Sequence, residues 1–170
     1  MRIGLLLGSF DPIHNGHLHL AQRVIENNGI DHVLFVPTLQ NPWKAKSTNI
    51  MTRAYMIQMA IFGNPNYSIS SVETKLSAPY YTHLTLKQLQ LDYPNDELIL
   101  IVGSDVANEI HRWEHGIWIL ENFKIIPISR NLFKISSSEI RYLVKKKSFF
   151  EHLVPDKVAE IIKKFKLYET

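Results

Sequence analysis

The chain opens Met1-Arg2-Ile3-Gly4-Leu5-Leu6-Leu7-Gly8-Ser9-Phe10-Asp11-Pro12-Ile13-His14-Asn15-Gly16-His17, and this stretch decides the fold. Ile3 to Leu7 is a short apolar run of the kind a buried strand presents. It stops at Gly8, where the missing Cβ lets backbone approach a ligand closely, and Asp11-Pro12 makes a turn. Leu18, Ala21, Val24 and Ile25 then recur at helical spacing until Asn28-Gly29, a good helix stop. The start of that helix offers unpaired N–H groups suited to phosphate. His14 and His17 sit there. A protonated imidazole at the positive end of a helix dipole is disfavoured by about 0.3–1 kcal/mol unless an anion binds beside it. One such histidine is ordinarily a half-buried polar residue satisfied by nearby carbonyls. Two of them, three apart and flanking Gly16 at a strand-to-helix turn, point to an anion site instead. Zinc would need further ligands, and the local spacing supplies no carboxylate partner.

Working outward, strand-length apolar runs recur at Val33 to Val36, Tyr67 to Val72, Leu98 to Val102 and Lys124 to Ile128. Helical spacing lies between them. Tyr55, Met56, Met59 and Ala60 form one stripe behind Thr52 as an N-cap, and Leu86 and Leu89 mark another behind Thr82. Buried strands alternating with amphipathic helices predict a doubly wound α/β domain with a mostly parallel sheet covered on both faces. Two closing helices are expected, one opening near Ser138 and one near Pro155. At 170 residues, a single domain over 1–170 is expected.

Composition narrows the chemistry. Cysteine is absent, which excludes disulfides, thiolate nucleophiles and cysteine metal sites. The formal net charge is +3, with the excess mainly in Lys145 to Lys147 and Lys163 to Lys166, so no nucleic-acid partner is expected. No segment has the ~18 unbroken apolar residues of a membrane helix, and the first strand lacks the cleavage site of a leader. No membrane association is expected, and a cytoplasmic location follows as the default. A homo-oligomer is allowed but not indicated.

In doubly wound sheets the ligand sits beyond the C-terminal ends of the strands, where strand order reverses. The residues after each strand are therefore the informative ones. After the second come Asn41-Pro42-Trp43-Lys44, and Lys44 is a mobile charge able to meet a phosphate. After the third come Glu73-Thr74 and then Tyr80-Tyr81-Thr82, whose aromatic rings either stack on a flat ligand or pack. After the fourth come Gly103-Ser104-Asp105 and Trp113. Asp105 either caps a helix or holds a ribose hydroxyl or hydrated metal ion. Last comes Ile135-Ser136-Ser137-Ser138-Glu139-Ile140-Arg141. Taking Ser138 as the cap places Arg141 at the third helical position, where a capping box would carry Glu or Gln. Cations and hydroxyls at two helix openings suggest polyphosphate held between them.

Gly8 to His17 resembles the signature of the nucleotidyltransferase superfamily with paired histidines, and Ile135 to Arg141 resembles its second signature. Together with Asn41 to Lys44, Ser71-Val72-Glu73-Thr74, Tyr81-Thr82, Gly103 to Asp105 with Trp113, Val154-Pro155-Asp156 and Leu167-Tyr168, the chain resembles the bacterial nicotinate-nucleotide adenylyltransferases along nearly its whole length. The sequence departs from that pattern at Leu84, where the family usually has aspartate, and in the short connection Arg130 to Lys134.

The resemblance implies a Rossmann-like nucleotidyltransferase fold and transfer of an adenylyl group from ATP to nicotinate mononucleotide, with pyrophosphate released and Mg²⁺ travelling with ATP. It implies catalytic roles for His14, His17, Lys44 and Arg141. ATP would be bound by Gly8, Ser9, Phe10, His14, His17, Gly103, Asp105, Ser136, Ser137, Ser138 and Arg141, and the acceptor by Lys44, Tyr81, Thr82, Asp105 and Trp113. Two other readings share some of these features: a phosphopantetheine adenylyltransferase, and a regulatory module that holds ATP without turning it over.

Overall fold

In the computed structural model, which describes residues 1–39, 47–129 and 134–170, the strands are β1 (Arg2–Gly8), β2 (His32–Pro37), β3 (Tyr67–Ile69), β4 (Glu97–Gly103) and β5 (Lys124–Ile128). They form one sheet in the order β3-β2-β1-β4-β5, and all four pairings are parallel. The chain winds outward from β1 to β3 and then returns to start the other half at β4. The reversal therefore lies between β1 and β4.

Side chains alternate across the sheet, so β1, β2, β4 and β5 each contribute to two apolar layers. Leu6, Val33, Phe35, Ile99 and Ile101 pack with α1 (Asn15–Asn28), α2 (Ile50–Ile61), α6 (Ser137–Lys145) and α7 (Asp156–Lys164). Ile3, Leu5, Leu34, Val36 and Leu100 pack on the other face with α3 (Thr82–Asp92) and α5 (Gly116–Asn122). A four-residue helix, α4 (Ser104–Ala107), follows β4 directly. The expected doubly wound sheet is present. No helix among the described residues is long and apolar enough to cross a membrane.

Several local expectations are corrected. β3 ends at Ile69, and Val72–Lys75 is a turn of 3-10 helix rather than strand. α2 is capped by Asn49, whose side chain accepts the Met51 N–H, and Thr52 lies inside the helix. Its buried stripe is Arg53, Met56, Ile57 and Ile61, while Tyr55 is exposed. Thr82 is the first residue of α3 rather than its cap, which is Tyr81. α7 begins at Asp156, with Pro155 just before it. Asn28-Gly29 ends α1 as expected, with Gly29 in the left-handed region at φ +62°.

α6 and α7 end alike. In α6 the Lys147 N–H donates to the Val144 carbonyl and Ser148 to Leu143, and in α7 Lys166 donates to Lys163 and Leu167 to Ile162. These are Schellman closures with a left-handed lysine, φ +53° and +49°, where glycine is usual. Each turns the chain sharply back along its helix.

Candidate active site

The β1–α1 junction is held by contacts among its own rings. His14 is the N-cap of α1, and its backbone N–H donates to Nδ1 of His17 at 3.2 Å. The two imidazoles stack with centroids 3.7 Å apart, and Phe10 meets His17 edge-on at 4.9 Å. A Cβ on Gly16 would lie 2.9 Å from the His14 ring, so glycine is what lets that ring lie over the helix start.

Burial pushes the His14 imidazole down to about 4, and burial together with His14 holds His17 well below the usual histidine range. Both rings are therefore neutral at pH 7. Because Nδ1 of His17 accepts, its proton resides on Nε2, an assignment that follows from the hydrogen-bond network. The ring presents one N–H donor at a helix N-terminus. This resolves the apparent conflict with the helix dipole, since the histidines are present without charge. Phe10 is 2% exposed with φ +48°, so its side chain is core and only its backbone is available to a ligand.

α6 is anchored on the same loop. Ser136 is its N-cap and accepts the Glu139 N–H at 3.1 Å. The helix opens near Ser138 as expected, but a cap at Ser138 is two residues late, so Glu139 occupies the third helical position as in an ordinary capping sequence and Arg141 stands at the fifth. Ser137 Oγ donates to the Pro12 carbonyl at 2.8 Å, and Arg141 Nη1 donates to the Asp11 carbonyl at 2.9 Å. Arg141 Nη2 reaches Ser138 Oγ at 3.3 Å. A guanidinium has five N–H donors, so three remain for an anion. The N–H groups of Ser137 and Ser138, in the first turn, have no intrahelical acceptor. Two helix openings and one arginine are thus fixed against each other by backbone contacts.

Gly8 and Gly103 end the adjacent strands β1 and β4 at the reversal. Asp105 does not cap α4, whose N-cap is Gly103; it is the second helical residue and exposed. Tyr81, Thr82 and Trp113 lie on the other face of the sheet, where Trp113 packs against the layer containing Leu86 and Ile110. The phosphate candidates and the acceptor candidates therefore flank the crevice from opposite faces. Lys44, with Asn41 to Trp43, and Arg130 of the short connection lie outside the described residues.

Sequence reasoning missed a knot of buried charge beneath this site. Arg53 is 1% exposed, and its guanidinium donates to the carbonyls of Thr48 (2.8 Å), Ser9 (2.6 Å), Thr38 (2.8 Å) and Leu39 (3.3 Å). Glu73 accepts the Leu39 N–H at 2.6 Å and the Thr85 hydroxyl at 2.9 Å. Burial pushes the Arg53 group down, opposed first by the Asp11 charge and more weakly by Tyr168 and Glu73, and pushes the Glu73 carboxyl up, opposed by its bonds to Leu39 and Thr85 and then by the Arg53 charge. The only signal in the sequence was an arginine three residues before Met56 on the buried stripe.

A second omission is at the start of α3. His83 and His115 approach with ring centroids 4.3 Å apart, and Tyr81 stacks on His83 at 5.9 Å. Burial, with help from His115 and Lys87, pushes the His83 imidazole below the usual histidine range.

A cytidylyltransferase-like family model matches residues 5–166. The nicotinate-nucleotide adenylyltransferase of Bacillus subtilis (strain 168) is 32% identical, with 99% of each chain covered. A relative from Flavobacterium psychrophilum, named a probable nicotinate-nucleotide adenylyltransferase, is 34% identical over 99% of this chain and 100% of its own. Among solved structures, a Plasmodium falciparum nicotinic acid mononucleotide adenylyltransferase complexed with NaAD superposes with a TM-score of 0.79 at 22% identity, covering 99% of this chain and 97% of that one. The fold, the paired-histidine loop and two relatives of full length agree: this chain belongs to the nicotinate-nucleotide adenylyltransferases, within the cytidylyltransferase-like family.

Proposed function

We propose that this chain transfers the adenylyl group of ATP to nicotinate mononucleotide, giving nicotinate adenine dinucleotide and pyrophosphate. The observation that carries the assignment of roles is the neutral His17, whose Nδ1 is occupied by the His14 N–H and whose Nε2–H is thereby left as a fixed donor at the start of α1. The acceptor's phosphate oxygen attacks the α-phosphorus in line. It is already anionic at neutral pH, so no protein base or nucleophile is needed, and catalysis consists of positioning and charge stabilisation.

In this reading His17 donates to the α-phosphate, with His14 beside it. Arg141 and the first-turn N–H groups of α6 at Ser137 and Ser138 hold the β and γ phosphates, and Ser136 orders that turn. Gly8, Ser9, Phe10 and Gly103 contribute close backbone, and Asp105 a ribose hydroxyl contact. Tyr81, Thr82 and Trp113 receive the nicotinate half, and Lys44 bridges toward the acceptor phosphate. That a fold neighbour is complexed with NaAD supports a dinucleotide as the product. In this reading Mg²⁺ arrives on the ATP phosphates rather than in a cage of protein ligands. That ion would neutralise charge on the leaving pyrophosphate.

The test is purified protein with ATP and Mg²⁺, monitored for pyrophosphate with nicotinate mononucleotide and, separately, with phosphopantetheine. Turnover with the first acceptor and not the second is the expected result. Pyrophosphate from the second alone would transfer the chain to the coenzyme A branch, and none from either would leave only a nucleotide-binding module.

A further inference from the structure

The route from α7 to the phosphate loop carries a feature that substrate contacts do not explain. After the Schellman closure at Lys166, the next residue but one, Tyr168, is itself left-handed at φ +65°. A residue with a Cβ adopts that conformation at a penalty, and it persists where surrounding contacts over-determine it. Here the contact is specific. The Tyr168 hydroxyl donates to Asp11 Oδ1 at 2.6 Å, a bond between residues 157 apart in sequence. The other Asp11 oxygen accepts the Thr48 N–H at 3.0 Å, and the Asp11 carbonyl accepts Arg141 Nη1 at 2.9 Å. Asp11 is 6% exposed. Its carboxylate is therefore fixed on both oxygens while its carbonyl anchors the arginine that faces the phosphates. Burial and the Asp11 charge push the phenol well above its usual range, so it remains a donor at every working pH.

We infer that Tyr168 is a positioning residue for ATP: by clamping the Asp11 carboxylate it sets the backbone carbonyl on which Arg141 is held. The inference rests on the assignment of Arg141 to the ATP phosphates. The Thr48 bond alone leaves Asp11 free to pivot, and a pivot at Asp11 moves the Arg141 anchor and the neighbouring Pro12 carbonyl that receives Ser137.

The experiment is Tyr168→Phe, which removes one oxygen and keeps the ring, alone and combined with Arg141→Ala. Steady-state kinetics are read beside equilibrium titration of ATP–Mg²⁺ without acceptor, and Leu167→Ala serves as a packing control in the same segment. Tyr168→Phe is expected to raise the KM and Kd for ATP about 5–10-fold, the effect of one charge-assisted hydrogen bond felt in part. The KM for the acceptor should stay within about two-fold, and the increase should disappear in the Arg141→Ala background. Leu167→Ala should lower the urea midpoint while leaving the ATP constants unchanged. ATP constants within two-fold of the parent in Tyr168→Phe would overturn the inference, as would an effect that multiplies independently with Arg141→Ala. If the parent binds ATP with this coupling but turns over neither acceptor, the positioning role stands and the catalytic reading fails. If the parent binds no ATP, both fall.

Discussion

Replacing Arg53 by methionine keeps an unbranched apolar stem and removes the guanidinium with its charge and its donors. Three of the four backbone carbonyls that lose a partner are held at 2.6–2.8 Å, and they come from the segments after β1, after β2 and before α2. A hydrogen bond from a charged group contributes roughly 1.5–3 kcal/mol, but bonds that share one guanidinium do not add. Burial opposes the charge, which reduces the net value. Breaking a buried ionic arrangement from one side costs about 3–5 kcal/mol, since the buried Glu73 carboxylate would lose the cation that opposes its desolvation. For a chain of this size 1 kcal/mol moves Tm by roughly 2–4 °C, so Arg53→Met should lower Tm by roughly 6–20 °C. Differential scanning calorimetry at pH 7 measures this, with urea unfolding as a second reading. Arg53→Lys should fall between parent and Met, because an ammonium keeps the charge but cannot span four carbonyls with a planar fork. A Tm for Arg53→Met within 2 °C of the parent, or a Lys variant no better than Met, would refute the argument that this guanidinium ties the three segments together.

Three further outcomes follow from the site. His17→Ala should lower kcat by about 10²-fold or more while changing the Kd for ATP much less, because the Nε2–H contact strengthens as charge develops; an unchanged kcat in folded protein would remove His17 from the chemistry. Stability should fall on acidification between the usual histidine pKa of 6.5 and about 4, because His14 is held neutral in the folded state and the unfolded chain takes up the proton first. The loss attributable to His14 is of the order of 3 kcal/mol, and urea unfolding at pH 7 and pH 4.5 should show His14→Gln with a shallower dependence than the parent. If Tyr81, Thr82 and Trp113 receive the nicotinate ring as proposed, His83, held below the usual histidine range by burial, leaves backbone N–H groups near Thr82 as the donors for its carboxylate. We expect nicotinate mononucleotide to exceed nicotinamide mononucleotide by roughly 10²-fold in kcat/KM, with Trp113→Ala weakening both and sparing ATP; equal kcat/KM values would contradict this.

Much of the site was legible because its chemistry is local. Gly8, Gly16 and the two histidines stand within one strand-to-helix turn, where spacing alone fixes what can meet. The caps were less legible. Three successive serines before Ile140 all have the right side chain for an N-cap, and only the chain path selects Ser136. Similarly, Thr52 and Thr82 are good caps in isolation, but Asn49 and Tyr81 lie where the backbone turns. His83 and His115 are far apart in sequence and meet only because α3 and the segment after Trp113 pack on the same face.

By itself, the sequence determined the alternation of strands and helices, the parallel sheet and the place of the paired-histidine loop. Each of these follows from periodicity or from a glycine at a turn, which are properties of neighbouring residues. The tertiary structure alone decided that Arg53 is buried, that Tyr168 reaches Asp11, and that α6 is pinned to the β1–α1 loop. An arginine on a helix and a tyrosine after one carry no periodic signature of such roles. Their partners are backbone carbonyls and a carboxylate brought near by folding, and a buried charge is defined by what surrounds it.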